Sequence, residues 1–85
     1  MRVVVIHPNA LDHLSYWSQN DLKMIKRIIE LLDDIQKTPF GGKGKPEPLK
    51  HELKGYWSRR INDEHRLVYQ VNNEEIIVIA CRHHY

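Results

Sequence analysis

With 85 residues, 41% of them hydrophobic and 28% charged, the chain has the make-up of one soluble globular domain spanning residues 1–85. A chain this short buries about 60–65% of its unfolded surface, enough for one modest core. The net charge is +2; a single cysteine, Cys81, excludes an internal disulfide and points to the reducing cytoplasm, while Val3–Ile6, four apolar residues before His7-Pro8, is too short for a signal peptide or a membrane span.

Residues 2–7 are predicted as a short strand, rich in β-branched side chains and stopped by Pro8. Asn9 is placed to cap a helix carrying Leu11, Leu14 and Trp17. Asn20-Asp21 interrupts the chain, and Asp21 starts a second helix as its N-cap. Leu22, Ile25, Ile28, Ile29, Leu32 and Ile35 recur at helical spacing, with charges of both signs between them, until Thr38-Pro39. Helices joined so tightly form an αα-hairpin.

Residues 38–53, TPFGGKGKPEPLKHEL, hold three glycines, three of the four prolines and three lysines, too stiff and polar a mixture for core. Glu47 sits between Pro46 and Pro48, and the following proline biases its backbone toward extended conformations. Across residues 42–60, Lys43, Lys45, Lys50, Lys54, Arg59 and Arg60 stand against only Glu47 and Glu52. That concentration is the electrostatic footprint of a polyanion binder, or a solvated lysine loop.

Residues 50–54 read as one helical turn stopped by Gly55, and the remainder as strands. Residues 56–62 end at the turn Asn62-Asp63-Glu64-His65, Arg66–Val71 follows, Asn72-Asn73 makes a tight turn, and residues 75–82 form the last run, with Cys81 as a buried strand residue. Alternation in Arg66–Val71 turns Leu67, Tyr69 and Val71 toward the helices and Arg66, Val68 and Gln70 away from them. The predicted fold is α+β: an N-terminal strand, a helical hairpin, then antiparallel strands in one twisted sheet with the helices on one face. The uncovered face, edged by the basic loop, is the expected binding surface.

A held carboxylate, several cations and a terminal imidazole are the parts needed to cleave RNA without a metal. On residues alone each part has a plain alternative. Glu47 also reads as a surface glutamate, Arg66 as half of a salt bridge with Glu64 or Glu75, and His84 as a frayed end. The six histidines show no metal-ligand spacing, and no nucleotide-binding motif is present. Neither a metal nor an organic cofactor is expected.

TPFGGKGKPEPLKHEL, followed by GYWSRRI, EHRLVY and ACRHHY and preceded by Tyr16-Trp17, closely resembles the YoeB-type toxins of the RelE/ParE toxin–antitoxin superfamily. The resemblance implies a microbial-ribonuclease-like fold, ribosome-dependent cleavage of mRNA, inhibition by a cognate antitoxin, and a homodimer. It also implies Glu47, Arg66 and His84 as the catalytic residues, with Lys50, Arg60 and Tyr85 holding or orienting RNA. His83 stands where an aromatic such as tyrosine is expected, and Gly41 where an acidic residue is more usual. The alternative is a non-catalytic ParE-like toxin that binds a protein target such as DNA gyrase. Relatives of that type lack the glutamate–arginine–histidine set.

Overall fold

The computed structural model of the chain describes residues 1–83; His84 and Tyr85, two of the site residues implied above, lie outside the described residues. The first strand β1 (Val3–Ile6) leads into helices α1 (Pro8–Asn20) and α2 (Leu22–Lys37). After them come β2 (Glu47–Pro48), a 3₁₀ turn (His51–Leu53), β3 (Trp57–Arg60), β4 (Arg66–Val71) and β5 (Glu75–Ala80). All five strands belong to one sheet, in the order β1-β5-β4-β3-β2.

The α+β class and the helical hairpin agree with the sequence reading, but the sheet is mixed rather than wholly antiparallel. β1 pairs in parallel with β5, from Val3 opposite Glu75 to Ile6 opposite Val78. The reason lies in α1, which starts directly after β1 and bonds the far end of β5. Asn9 donates from its side-chain amide to the Ile79 carbonyl at 2.9 Å, and Trp17 Nε1 donates to the Cys81 carbonyl at 2.8 Å. Both strands must therefore end at the same edge of the sheet. With Asn9 so used, the cap of α1 falls to His7, whose ring accepts the Asn9 N–H, while Pro8 takes the first helical turn, where its missing N–H costs nothing.

A second departure is β2. The stretch around Glu47 was expected as loop, yet Glu47 and Pro48 pair with Ser58 and Trp57 of β3. Pro48 is tolerated because it sits on an edge strand.

α2 buries Met24, Ile28, Leu31 and Ile35 against Leu67, Tyr69, Ile76, Val78 and Cys81, with Ala10 and Trp17 of α1 completing the core. Asp21 caps α2 through its carboxylate, as expected. The buried stripe is rotated from the predicted one, however. Leu22 and Ile29 remain 70% and 60% exposed, because the sheet covers only one side of a broad apolar arc. With Leu11 they border an open groove along the hairpin. No described helix is long and apolar enough to cross a membrane.

Two asparagines build the strand connections. Asn62 Oδ1 accepts the N–H groups of Glu64 and His65, and Asn72 Oδ1 accepts those of Glu74 and Glu75. Both are side-chain turns that mimic a backbone turn. Pairing of Val68 with Ala80 and of Tyr69 with Val78 leaves Ile79 as a bulge in β5. Its carbonyl is the one that Asn9 satisfies.

Candidate functional site

Strand register alone gathers much of the site. Glu47 lies opposite Ser58, Ser58 opposite Val68, and Arg60 opposite Arg66. Residues directly opposite share a face, as do residues two apart, so Glu47, Ser58, Arg60 and Arg66 occupy the face away from the helices. On that face a groove of about 540 Å³ is lined by Glu47, Leu49, Lys50, His51, Glu52, Leu53, Ser58 and Arg66. Of the expected site residues, Glu47, Lys50 and Arg66 thus meet in one groove. Arg60 shares their face without lining it. His84 and Tyr85 lie outside the described residues.

Arg59 explains how a glycine- and proline-rich segment can present a carboxylate reproducibly. The sequence reading counted it with the surface cations; instead it is completely buried. Its five N–H groups meet five acceptors. Nε donates to the Tyr69 hydroxyl at 3.0 Å, Nη1 to Asp34 Oδ2 at 2.6 Å and the Lys43 carbonyl at 3.1 Å, and Nη2 to the carbonyls of Thr38 and Gly41 at 2.6 and 2.7 Å. The loop is wound around a guanidinium whose donor capacity is full. Asp34 also accepts the Lys43 N–H, and that bond, with Arg59 beside it, holds the Asp34 carboxyl below its usual range.

The same winding demands glycine. Gly42 has φ +98°, and a Cβ there would run into the Asp34 carboxylate. Gly44 has φ +82°, and a Cβ there would meet Leu31 Cδ2 at 2.9 Å; its carbonyl accepts the Arg60 N–H at 2.6 Å. Pro46-Glu47 follows directly, so the loop is fixed before it reaches the groove.

Arg66 makes no ion pair among the described residues, with Glu64, Glu75 or any other carboxylate. Its Nη1 instead donates to the carbonyls of Asn62, Asp63 and His65 at 2.8, 3.1 and 3.2 Å. Carbonyl dipoles orient the guanidinium, and no carboxylate of the described residues pairs with its charge. Such a group is ready for phosphate.

Backbone strain collects around the same place. Among the described residues, three non-glycine residues adopt positive φ: Lys45 (54°), His51 (58°) and His83 (69°). Lys45 precedes Pro46-Glu47, His51 lines the groove, and the His83 carbonyl accepts the Arg66 N–H at 3.1 Å. Strain of about 1–3 kcal/mol per residue persists only where the surroundings enforce it, and it clusters at functional sites.

The segment leading to the chain end is held at every residue. Cys81 donates its N–H to His13 Nδ1 at 3.0 Å and accepts from Trp17. The Arg82 guanidinium lies 3.4 Å from the centre of the Tyr16 ring. The His83 N–H reaches His65 Nδ1 at 2.7 Å, and the His83 ring sits 5.8 Å from that of His65 and 6.3 Å from that of His13. Cys81 itself is structural: burial pushes its thiol up to about 12. Among the described residues no three His, Cys, Asp or Glu side chains are grouped to hold a metal ion.

Sequence reasoning missed His51, Glu52 and Ser58 as groove residues. His51 and Glu52 were legible as neighbours of Lys50 once that segment was read as a helical turn. Ser58 needed the β2–β3 register, for which two residues of strand give no periodic signal.

The family model of the YoeB-like toxins of bacterial type II toxin–antitoxin systems matches residues 6–85, which include the whole groove and the chain end. The chain belongs to this family. It is 55% identical to Toxin YoeB of Escherichia coli K12 over 74 residues, covering 87% of this chain and 88% of that one. The YoeB/ParE toxin from Agrobacterium tumefaciens superposes with a TM-score of 0.94 at 44% identity, with each chain covered in full. YoeB of Staphylococcus aureus, solved as a dimer, gives 0.93 at 47% identity, with 99% of this chain and 98% of that one covered. The S. aureus toxin solved in a heterotetramer with YefM gives 0.90 at 46%, covering 100% and 99%. These likenesses leave the mixed sheet and the groove as features of a YoeB-like toxin.

Proposed function

We propose that this toxin is an endoribonuclease that cleaves mRNA on the ribosome by general acid–base chemistry without a metal, and so inhibits protein synthesis. The observation that carries the reading is Glu47 and Arg66 lining one groove, with Lys50 beside them. Glu47 takes the proton of a ribose 2′-hydroxyl, and the oxygen attacks the adjacent phosphorus. Arg66 binds the non-bridging oxygens as charge accumulates, a contribution of about 10²–10³ in rate for one preorganised donor. His84 protonates the departing 5′-oxygen, and each acid–base step contributes about 10²–10⁴-fold. The products are a 2′,3′-cyclic phosphate, or the 3′-phosphate from its hydrolysis, and a 5′-hydroxyl. Lys50, Arg60 and Tyr85 hold the RNA. In support of the role of His84, the preceding residue is bonded to the Arg66 backbone.

A carboxylate is an intrinsically weak base, so the placement of Glu47 counts for more than its basicity. The two bonded strand residues and the loop wound on Arg59 supply that placement.

The protein acts in the cytoplasm, as a homodimer and under the control of a cognate antitoxin. The S. aureus dimer and its complex with YefM support both associations by analogy. An acidic, partly disordered antitoxin segment folding over the basic face would neutralise it. Exposed Leu11, Leu22 and Ile29 give a protein partner apolar surface to cover.

The test is sequencing of RNA ends after translation in a purified system, with wild type and the variants Glu47→Ala, Arg66→Ala and His84→Ala. Ribosome-dependent ends carrying a cyclic or 3′-phosphate, lost in all three variants, are expected. Full cleavage by both Glu47→Ala and His84→Ala overturns the assignment. Because Glu52 and His51 line the same groove, their alanine variants run alongside and are expected to retain the larger part of the activity. No new ends with ribosomes present, together with inhibition of DNA gyrase, establishes the ParE-like alternative instead.

A further inference from the structure

His65 and His13 are not assigned any part in the chemistry above, yet each points an imidazole nitrogen at the backbone of the terminal segment. His65 Nδ1 accepts the His83 N–H at 2.7 Å, and His13 Nδ1 accepts the Cys81 N–H at 3.0 Å. An imidazole nitrogen accepts only when it carries no proton, so both rings are neutral and protonated at Nε2 in this arrangement. The two bonds sit at opposite ends of a three-residue run. Between them Arg82 stacks on Tyr16, and beyond them the His83 carbonyl closes onto the Arg66 N–H.

We propose that His65, assisted by His13, is a positioning residue: its neutral imidazole anchors the His83 amide and thereby fixes where the chain delivers its last residues relative to Arg66. The proposal rests on the reading of His84 as the general acid. Several observations support it. His83 is held at positive φ, a conformation that a non-glycine residue keeps only when its surroundings enforce it, and the His65 bond is one of the two backbone bonds that do so. His65 is itself fixed. Its N–H is taken by Asn62 Oδ1 at 2.7 Å, its carbonyl accepts from Ile61 at 2.9 Å and from Arg66 Nη1, and its ring packs edge-on against Trp17 at 4.7 Å. One residue therefore touches both the Arg66 guanidinium, through its carbonyl, and the terminal segment, through its ring.

The device is sensitive to acid. Protonating His65 turns its Nδ1 from acceptor to donor, which faces another N–H and breaks the tie. Among the described residues, the charged and titratable groups around His65 include the Glu64 carboxylate, 3.6 Å from Nε2, the His83 imidazole and the Arg66 guanidinium. Around His13 they are His83, Arg82 and Asp12.

The experiment uses the full chain with His65→Phe, which keeps ring volume against Trp17 and removes the acceptor, and His65→Asn, whose Oδ1 restores an acceptor near the Nδ1 position. Two readouts are taken: hydrogen exchange of the His83 amide, and kcat and KM for cleavage of mRNA on programmed ribosomes. His65→Phe is expected to speed exchange at His83 and to lower kcat about ten- to hundredfold with KM nearly unchanged, since a misplaced group costs rate more than binding. His65→Asn is expected to recover both. Wild-type exchange and kcat in His65→Phe overturn the proposal, as does equal loss in both variants when their unfolding transitions match wild type. If His65→Phe does not fold, the His83 amide of the wild type decides: its protection must fall as the His65 imidazole, followed by NMR, takes a proton, and protection unchanged once that ring is protonated overturns the proposal. Wild type that cleaves nothing refutes the nuclease reading, while the exchange measurement still tests the anchoring.

Discussion

Arg59 Nη1 lies 2.6 Å from Asp34 Oδ2, and through this contact the loop ahead of Glu47 is bolted to α2. Removing the guanidinium leaves a carboxylate facing a void and three loop carbonyls without donors. Breaking such a buried pair from one side costs about 3–5 kcal/mol. Arg59→Met is expected to lower stability by that amount, and Arg59→Lys by somewhat less, because an ammonium supplies three donors where five are used. Urea unfolding of the two variants beside wild type measures both. A loss below about 1 kcal/mol for Arg59→Met would show that the loop holds its shape without this hub.

Gly42 and Gly41 make a paired test of the same loop. Gly42 needs φ +98° and leaves no room for a Cβ beside Asp34, whereas nothing lies within 4 Å of a Cβ built at Gly41. Gly42→Ala is expected to destabilise by about 1–3 kcal/mol through backbone strain, with the clash adding to it. Gly41→Ala is expected to stay within about 0.5 kcal/mol of wild type, because the added methyl enters open space and the backbone there is ordinary. Thermal unfolding of both reads the contrast. Equal effects would mean the loop relaxes freely, and the rigid presentation of Glu47 would fail with it.

How legible was this in the sequence? The helices were, because Asp21 and the Leu22-to-Ile35 spacing carry both start and period, and Arg66–Val71 was legible residue for residue. The rotation of α2 was not, since its apolar arc is wider than one contact face and only the sheet decides which side is covered. The parallel β1–β5 pairing was hidden because it depends on contacts from Asn9 and Trp17 to the far end of the chain. For the site, the proline-flanked Glu47 stood out, while Arg59 looked like its neighbour Arg60. Alternation assigns the two arginines to opposite faces, but only the position of Asp34 on α2 turns one of them into a buried hub. Four of the six expected site residues share one face, and three of those line one groove.

Acid should weaken the fold in two separate windows. His13 has its imidazole below the ordinary value of 6.5, first because burial disfavours the charge and then because His83 and Arg82 repel it. Between 6.5 and that lower value the unfolded chain binds a proton that the native one refuses, so stability falls as pH falls through this interval. Asp34 is a carboxyl held below 3.8, chiefly by the Lys43 N–H. Its contribution is complete above 3.8 and is lost as pH drops through the lowered value. Urea midpoints measured from pH 8 to pH 3 should show His13→Phe flattening the first decline and Asp34→Asn the second. A first decline that is unaltered in His13→Phe would assign it to another histidine.

Cys81 should be inert in the native protein. Its side chain is fully buried beneath α1, its sulfur lies 3.7 Å from the Ala10 carbonyl, and burial pushes the thiol up to about 12. At pH 8 a thiol with that value is ionised in only about one molecule in ten thousand, and the thiolate is the form that reacts. Alkylation by iodoacetamide must then wait for the fold to open, so its rate should rise with urea in step with unfolding and stay far below that of a free thiol in native buffer. Opening of the α1–β5 contact alone is a cheaper route, and it predicts labelling at low urea before global unfolding. Comparing wild type with Trp17→Phe, which removes the Nε1 donor to the Cys81 carbonyl, separates the two. Faster labelling in that variant, with the global transition little changed, would place the weakest point of the fold at the contact between α1 and the segment that follows β5.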